Sequence, residues 1–207
     1  MKKSQEETMG RPTFDASGKK DVQNNGLEGL EQLITTHVDN SRIVFLHGDV
    51  TENAISVVIA QLLHLANANH NPIHLVVSTY GGSVDEMFSL YDTIKFLPCP
   101  VHTVGLGKIM SAGVLILSTG VKGKRLMGAS GRIMVHSVTG GVYGNVFEAE
   151  NQTKEQRRLQ DLMVAALSKE TKMTRKQVEQ IMNERVDRFL TPQEAVKLGI
   201  VDKIIGG

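Results

Sequence analysis

The stretch VHTVGLGKIMSAGVLILST, residues 101–119, combines the features that decide the fold class. It opens with a β-rich run over 101–105, passes through the closely spaced Gly105 and Gly107, and ends in a run over 111–119 without a charged side chain. Such an uncharged run predicts a short helix that is buried on all sides. A strand that leads into a buried helix is typical of an α/β protein.

Outward from this stretch, β-rich runs alternate with helical patterns. Two shorter helices are predicted near the carboxyl terminus, because Thr174 and Gln177 form a capping-box pattern and Pro192 follows Thr191. Gly199 is expected to end the last helix. The spacing of apolar residues predicts helices over 52–69, 83–97 and 146–169, and further strands over 42–46, 73–78, 124–127 and 132–135.

We expect two regions in the chain. Residues 1–25 are polar and without periodicity, which predicts a disordered tail or a removable propeptide, and residues 26–207 form one domain. The first region lacks the apolar segment of a secretory signal, and no apolar run is long enough to span a membrane. The single cysteine, Cys99, fits a reducing compartment. These observations predict a cytoplasmic protein.

The charge balance argues against nucleic acid as a partner. The net charge is +1, with acidic and basic residues interspersed, and Trp is absent. We therefore expect neither a basic surface that would bind nucleic acid nor aromatic side chains on which bases would stack. His64, His70 and His74 lie near one another in sequence, but their irregular spacing does not favour a metal site, and we expect no bound cofactor.

Ser111 is a candidate nucleophile. It follows a strand and a glycine-rich stretch, it opens the uncharged helix, and its neighbours Ala112 and Gly113 are small enough for a substrate backbone to approach. On local pattern alone, a serine that serves only as a helix N-cap is the commoner explanation of such a residue.

His136 and Asp187 could complete a catalytic set. His136 ends a β-rich run and precedes the Gly140–Gly141 loop, which suits a general base. Asp187 is one of many acidic residues that could lie behind the histidine, and its position alone does not select it. Gly82, in the glycine pair that follows the second strand, could present a backbone N–H to an oxyanion or simply form a turn.

Three competing motifs fail. The pair Gly105 and Gly107 lacks the third small residue of a dinucleotide fingerprint, because Met110 occupies that place. Residues 120–124 are too short for a phosphate-binding loop. Ser111 does not lie in a G-x-S-x-G elbow, which excludes the α/β-hydrolase pattern.

The chain resembles the ClpP family, the proteolytic subunits of Clp proteases, because these residues lie in segments that match the family's motifs in the same order. The similarity runs from about Arg42 to Ile204. The segments that carry it are IVFLHG (43–48), YGGSV (80–84), LYDTI (90–94), MSAG (110–113), GVKGKR (120–125), GRIMVH (131–136), GG (140–141) and DRFLTPQEAV (187–196).

The resemblance implies a role for five residues. Ser111 takes the place of the family's nucleophile, His136 that of its base and Asp187 that of its aspartate. Gly82 and Ala112 fall on the oxyanion-hole positions. The implied fold is crotonase-like, a spiral of β-β-α units with a protruding helical handle, here over 142–169.

The resemblance also implies an activity and partners. The chain would be an ATP-dependent Clp-type serine endopeptidase subunit, which hydrolyses unfolded proteins inside a chamber of two stacked seven-membered rings. An AAA+ unfoldase would supply the substrates and use the ATP, while the subunit itself would hold no cofactor.

The chain departs from the family pattern at several positions. Lys108, Ile109 and Met110 replace smaller residues before the serine, and Val186 stands where many members have an arginine used in ring-to-ring contacts. These features describe a divergent member and keep a non-catalytic ring subunit open as an alternative. Two other readings are a crotonase-fold acyl-CoA enzyme, which would not need the Ser-His-Asp set, and a Ser-Lys peptidase that uses Lys108.

Overall fold

The computed structural model describes residues 41–183 and 186–206. The predicted tail, 1–25, and the start of the predicted domain, 26–40, lie outside the described residues. Within the described ranges the strands are β1 (Ile43–His47), β2 (Ile73–Thr79), β3 (Val101–Met110), β4 (Arg125–Gly128), β5 (Arg132–Val135), β6 (Arg188–Leu190) and β7 (Lys203–Ile205). The helices are α1 (Glu52–Ala68), α2 (Val84–Phe96), α3 (Ala112–Ser118), α4 (Val146–Glu170), α5 (Arg175–Asn183) and α6 (Pro192–Leu198).

The sheet is mostly parallel, which confirms the predicted α/β class. Its main path is β1-β2-β3-β4-β7, and every neighbouring pair along this path is parallel. The remaining strands branch from β3, because β5 pairs with β3 in parallel and β6 pairs with β5 in the antiparallel sense. His136 directly follows β5 and Asp187 directly precedes β6, so both residues lie at this branch.

Strand β3 is twice as long as the predicted run over 101–105. Its first half, at Thr103–Gly105, pairs with β4, and its second half, at Lys108–Met110, pairs with β5. The second half of β3 was not predicted, because Gly105 and Gly107 have a low strand preference. At Gly105 the reason for glycine is space, since a Cβ there would lie 2.9 Å from Cδ2 of Leu117 in α3.

Helix α3 lies in the centre of the molecule. All of its residues are buried, as its uncharged sequence predicts, and it packs against β3 on one side and against α2 and α4 on others. By contrast, α4 is buried only near its carboxyl end, where Met163, Val164 and Leu167 join the core. Phe147, at its other end, is 74% exposed. The amino-terminal part of α4 therefore projects from the core, as expected for the handle, although helix begins at 146 and not at 142.

The predicted helix boundaries near the carboxyl terminus are confirmed. The Thr191 Oγ1 accepts a hydrogen bond from the Glu194 amide, while the Glu194 carboxylate accepts one from the Thr191 amide. Gly199 ends α6 in the left-handed region, at φ 74°. Strand β6 was not predicted, because three residues that include the exposed Arg188 and Phe189 form a strand only through their pairing with β5.

A buried ion pair joins the outer strands to the helices. Arg125 of β4 is 2% exposed, and its guanidinium donates to both carboxylate oxygens of Asp202 and to the carbonyls of Ser118 and Glu170. The Gly123 amide also donates to Asp202. Burial by itself raises the pKa of Asp202, but the hydrogen bonds from Arg125 and Gly123 outweigh it and hold that pKa below its ordinary value.

No helix within residues 41–183 and 186–206 combines the length and the apolar character needed to cross a bilayer.

We predict that Asp202→Asn destabilises the fold at neutral pH by about 3 kcal/mol, because it leaves the buried Arg125 charge unpaired. The native pKa of Asp202 is depressed, so its stabilising contribution is present above the unfolded-state pKa of about 3.9 and is lost as the pH falls below it. Thermal unfolding of the unaltered chain and of Asp202→Asn as a function of pH measures the difference in stability, which should become smaller under acidic conditions.

Asp161→Asn is the matched control. Asp161 pairs with Arg175 at 3.7 Å, but its side chain is 64% exposed. An exposed pair of this kind contributes less than about 1 kcal/mol. Equal destabilisation by the two variants would contradict the structural role assigned to Arg125 and Asp202.

Candidate active site

Ser111 adopts a backbone conformation that non-glycine residues rarely occupy. Its φ is 54° and its ψ is −121°, between the end of β3 and the start of α3. A residue with this geometry is strained and persists only when its surroundings impose it. The Ser111 hydroxyl makes no capping hydrogen bond to α3, which contradicts the simple N-cap interpretation.

The hydroxyl of Ser111 instead contacts His136. The Ser111 amide donates to the Met134 carbonyl at 2.8 Å, which continues the pairing of β3 with β5 beyond the last strand residue. This bond brings the end of β5 beside Ser111. His136 directly follows the last residue of β5, and its Nε2 lies 2.7 Å from Ser111 Oγ. The distance is that of a hydrogen bond through which a proton could move.

The antiparallel register of β6 determines where Asp187 lies. Val135 pairs with Arg188, so the next positions outward, His136 and Asp187, face each other. Asp187 Oδ1 is 3.8 Å from His136 Nδ1, and the Asp187 side chain is 55% exposed. This is an ion-pair distance and is longer than a hydrogen bond. The structure therefore brings together the three predicted residues, with the serine and histidine in tighter contact than the histidine and aspartate.

Neighbouring atoms come so close to the backbone at positions 81 and 82 that only glycine fits there. Both have positive φ, at 100° and 149°, and the Gly81 amide donates to Thr79 Oγ1. A Cβ on Gly81 would lie 2.6 Å from the Ser111 Cβ, and one on Gly82 would clash with the Val50 carbonyl. The glycine pair is therefore more than an ordinary turn, because it lets the backbone after β2 pass directly beside the serine.

A small cleft opens beside these groups. Its lining includes residues 137–139 together with Ser111 and His136. The apolar part of the lining consists of Val84, Met87, Ala112, Val138 and Met163. Helix α2, helix α3 and the base of α4 all contribute to it. The cleft suits an apolar side chain next to the serine hydroxyl.

The other candidate residues lie elsewhere. Among the described residues no three His, Cys, Asp or Glu side chains form a group that could hold a metal. His74 contacts the ring of His102, at 5.1 Å between centroids. Burial, together with the nearby His74 and Lys124, lowers the pKa of His102. The Lys108 ammonium lies 4.8 Å from the centre of the Tyr80 ring, whereas the Ser111 hydroxyl contacts His136.

A hydroxyl, an imidazole and a carboxylate in this order form the arrangement of hydrolases that act through a serine nucleophile. The family model of Clp protease matches residues 28–207. The chain therefore belongs to the Clp protease family, which confirms the family and the ClpP-like fold predicted from sequence.

Sequence reasoning missed the contacts that hold the site together. The Met134 carbonyl positions Ser111, and Thr79 positions Gly81 through its hydroxyl. In each contact the donor is a backbone amide, of Ser111 or of Gly81, so neither contact has a sequence motif of its own. Thr79 was an available signal, because it is a polar residue at a position of β2 that continues the buried apolar series of Ile73, Leu75 and Val77.

We predict that Gly81→Ala slows labelling of Ser111 by a fluorophosphonate by about 100-fold, because the added methyl displaces the serine side chain. Gly123→Ala is the matched control. Gly123 also has a positive φ, of 86°, but a Cβ there would meet no atom within 4 Å. The labelling rate should be unchanged in the control, and an equal loss in both variants would contradict the steric explanation.

Proposed function

We propose that this chain is the catalytic subunit of a Clp-type serine endopeptidase, which hydrolyses peptide bonds of unfolded proteins. The observation that carries the proposal is the 2.7 Å contact between His136 Nε2 and the hydroxyl of a serine held at a positive φ. A strained residue whose side chain points at a base is typical of a functional site. Membership of the Clp protease family supports the same conclusion.

The reaction is acyl transfer. His136 Nε2 accepts the proton of Ser111 as Oγ forms a bond to the peptide carbonyl carbon. The imidazolium then returns the proton to the leaving amine as the C–N bond breaks. Water, deprotonated by His136, releases the carboxylic acid from the acyl-enzyme. The chemistry needs only these side chains and water, so no cofactor takes part; ATP would be used by a separate unfoldase.

The amides of Gly82 and Ala112 are the proposed oxyanion donors. Ala112 is the first residue of α3, where an amide has no partner inside the helix. In the bridge between Val50 and the glycine segment, the hydrogen bonds use the Gly81 carbonyl and the Ser83 amide. The Gly82 amide takes no part in this bridge. Both donors belong to residues that line the cleft with Ser111, which supports the role.

Asp187 is the proposed orienting group for His136. Its carboxylate lies on the Nδ1 side of the ring, where it favours the tautomer that leaves Nε2 free to accept the serine proton. Catalytic hydrogen bonds are often long in a free enzyme and shorten when substrate binds. The 3.8 Å separation is compatible with this behaviour.

The surroundings of the site suit an extended peptide. In this proposal an extended peptide pairs with the backbone at 80–82, which passes beside Ser111, and with the Gly140–Gly141 loop, which follows the cleft residues 137–139. Main-chain pairing of this kind tolerates many substrate sequences. A ring assembly that encloses the site would restrict access to unfolded chains, and an AAA+ unfoldase would deliver them. We further propose a homo-oligomer of two stacked seven-membered rings that acts in the cytoplasm.

A second candidate function is a non-catalytic ring subunit with an assembly or regulatory role. The observations in its favour are the long separation of His136 and Asp187 and the presence of Val186, 62% exposed, beside Asp187. Measuring the mass of the native assembly and its peptidase activity on the same sample separates the candidates. Rings of full mass without activity would favour the second.

We predict that Ser111→Ala and His136→Ala each lower turnover of short fluorogenic peptides by about 10⁴-fold, since members of a triad act as a unit. The matched control is His70→Ala, which removes an exposed histidine outside the site and should keep full turnover. Unchanged turnover in Ser111→Ala would refute the proposed nucleophile. Full activity in His136→Ala would instead favour a Ser-Lys mechanism.

A further inference from the structure

Two cations lie side by side on the face of the sheet that carries His136. Lys108 of β3 and Arg132 of β5 are direct register partners. Side chains alternate along a strand, so Arg132 shares its face with His136, while Ile133 points into the core and is fully buried. Ile109 is fully buried as well, which places Lys108 on the same outer face.

Each cation rests against an exposed aromatic ring. Lys108 Nζ is 4.8 Å from the centre of the Tyr80 ring, and Arg132 Cζ is 5.4 Å from that of Phe189. Tyr80 is 63% exposed and Phe189 is 52% exposed. A cation–π contact orients a charged side chain but leaves its charge in place. We call these four residues the cationic patch.

The patch has no internal counter-charge. Across residues 41–183 and 186–206, neither Lys108 nor Arg132 lies within ion-pair distance of a carboxylate. Asp187 is close to Phe189 in sequence, but its carboxylate pairs with His136. Like charges on directly opposed strand positions repel each other. An anionic group bound between Lys108 and Arg132 would remove this repulsion.

The patch also lies within reach of a peptide bound at Ser111. Lys108 lies in β3, three residues before Ser111, which directly follows the strand; three residues correspond to about 10 Å at the rise of a β-strand. Tyr80 directly precedes Gly81, whose backbone passes beside the serine. An extended peptide with its carbonyl at Ser111 covers about 10 Å in three residues.

We propose that the cationic patch binds an acidic side chain, Asp or Glu, about three residues from the scissile bond of a peptide substrate. The cationic patch would then select substrates that have a carboxylate at that position. The apolar cleft would select a second residue, next to the scissile bond. The inference rests on the proposed function, because it places the patch along the path of a bound substrate.

The test uses the full chain with Ser111→Ala and a set of fluorescent ten-residue peptides. In each peptide a single Glu replaces one Gln of a common parent, so that the acidic position moves along the sequence. Binding is measured by fluorescence anisotropy at low and high salt. For at least one position we expect Glu to bind about fivefold more tightly than Gln, with the advantage shrinking as salt screens the charges.

Removing both cations should remove the preference. In the Lys108→Gln and Arg132→Gln double variant, made in the same Ser111→Ala background, the ratio of Glu to Gln affinity should fall close to one. Lys203→Gln is the matched control, because it removes one positive charge from an exposed position in β7, which among the described strands pairs with β4 alone, and it should keep the preference. A preference for Glu at no position, or one that survives in the double variant, would overturn the inference.

Turnover of the same peptides by the unaltered chain separates this inference from the proposed function. Selective binding without hydrolysis would preserve the patch and refute the peptidase. Hydrolysis without any difference between Glu and Gln peptides, in turnover or in binding, would preserve the peptidase and refute the patch.

Discussion

The hydrogen bond from the Ser111 amide to the Met134 carbonyl is the constraint on which the site depends. It joins the end of β3 to β5 at the point where β3 gives way to α3, and it holds Ser111 at φ 54° with its hydroxyl free of the helix. The same pairing brings His136 to that hydroxyl. From His136, the antiparallel pairing of β5 with β6 then positions Asp187. Three segments that are distant in sequence thus meet through backbone hydrogen bonds.

The long β3 makes this arrangement possible. One strand pairs with β4 through its first half and with β5 through its second, so the main sheet and the branch share a single backbone. Helix α3 packs against this strand, and the Arg125–Asp202 pair connects the far strands to the carbonyl ends of α3 and α4. The strain at Ser111 is therefore supported by closely packed neighbours, since every residue of α3 is buried.

The two faces of the branch have different tasks. Ile109, Ile133 and Val135 point into the core and are almost completely buried. The opposite face carries His136 and, further along the strands, Lys108 and Arg132 with their aromatic partners. The departure from the family pattern at Lys108 thus falls on the same face as His136, the proposed base. In the proposed function this face meets the substrate, where divergence changes specificity without changing the chemistry.

The α/β class, most helix boundaries, the family and the candidate residues could all be predicted from the amino-acid sequence, because periodicity, caps and ordered motifs are local properties. The length of β3 and the existence of β6 could not be predicted from it, since Gly105 has a low strand preference and three residues are too few to give a local strand pattern. Both segments are strands because they pair with their neighbours. Two contacts became visible only in the folded chain: the Ser111 hydroxyl contacts His136 rather than capping α3, and Lys108 lies over Tyr80. The physical reason is that these contacts follow from strand register, which is fixed by pairing between segments far apart in the chain.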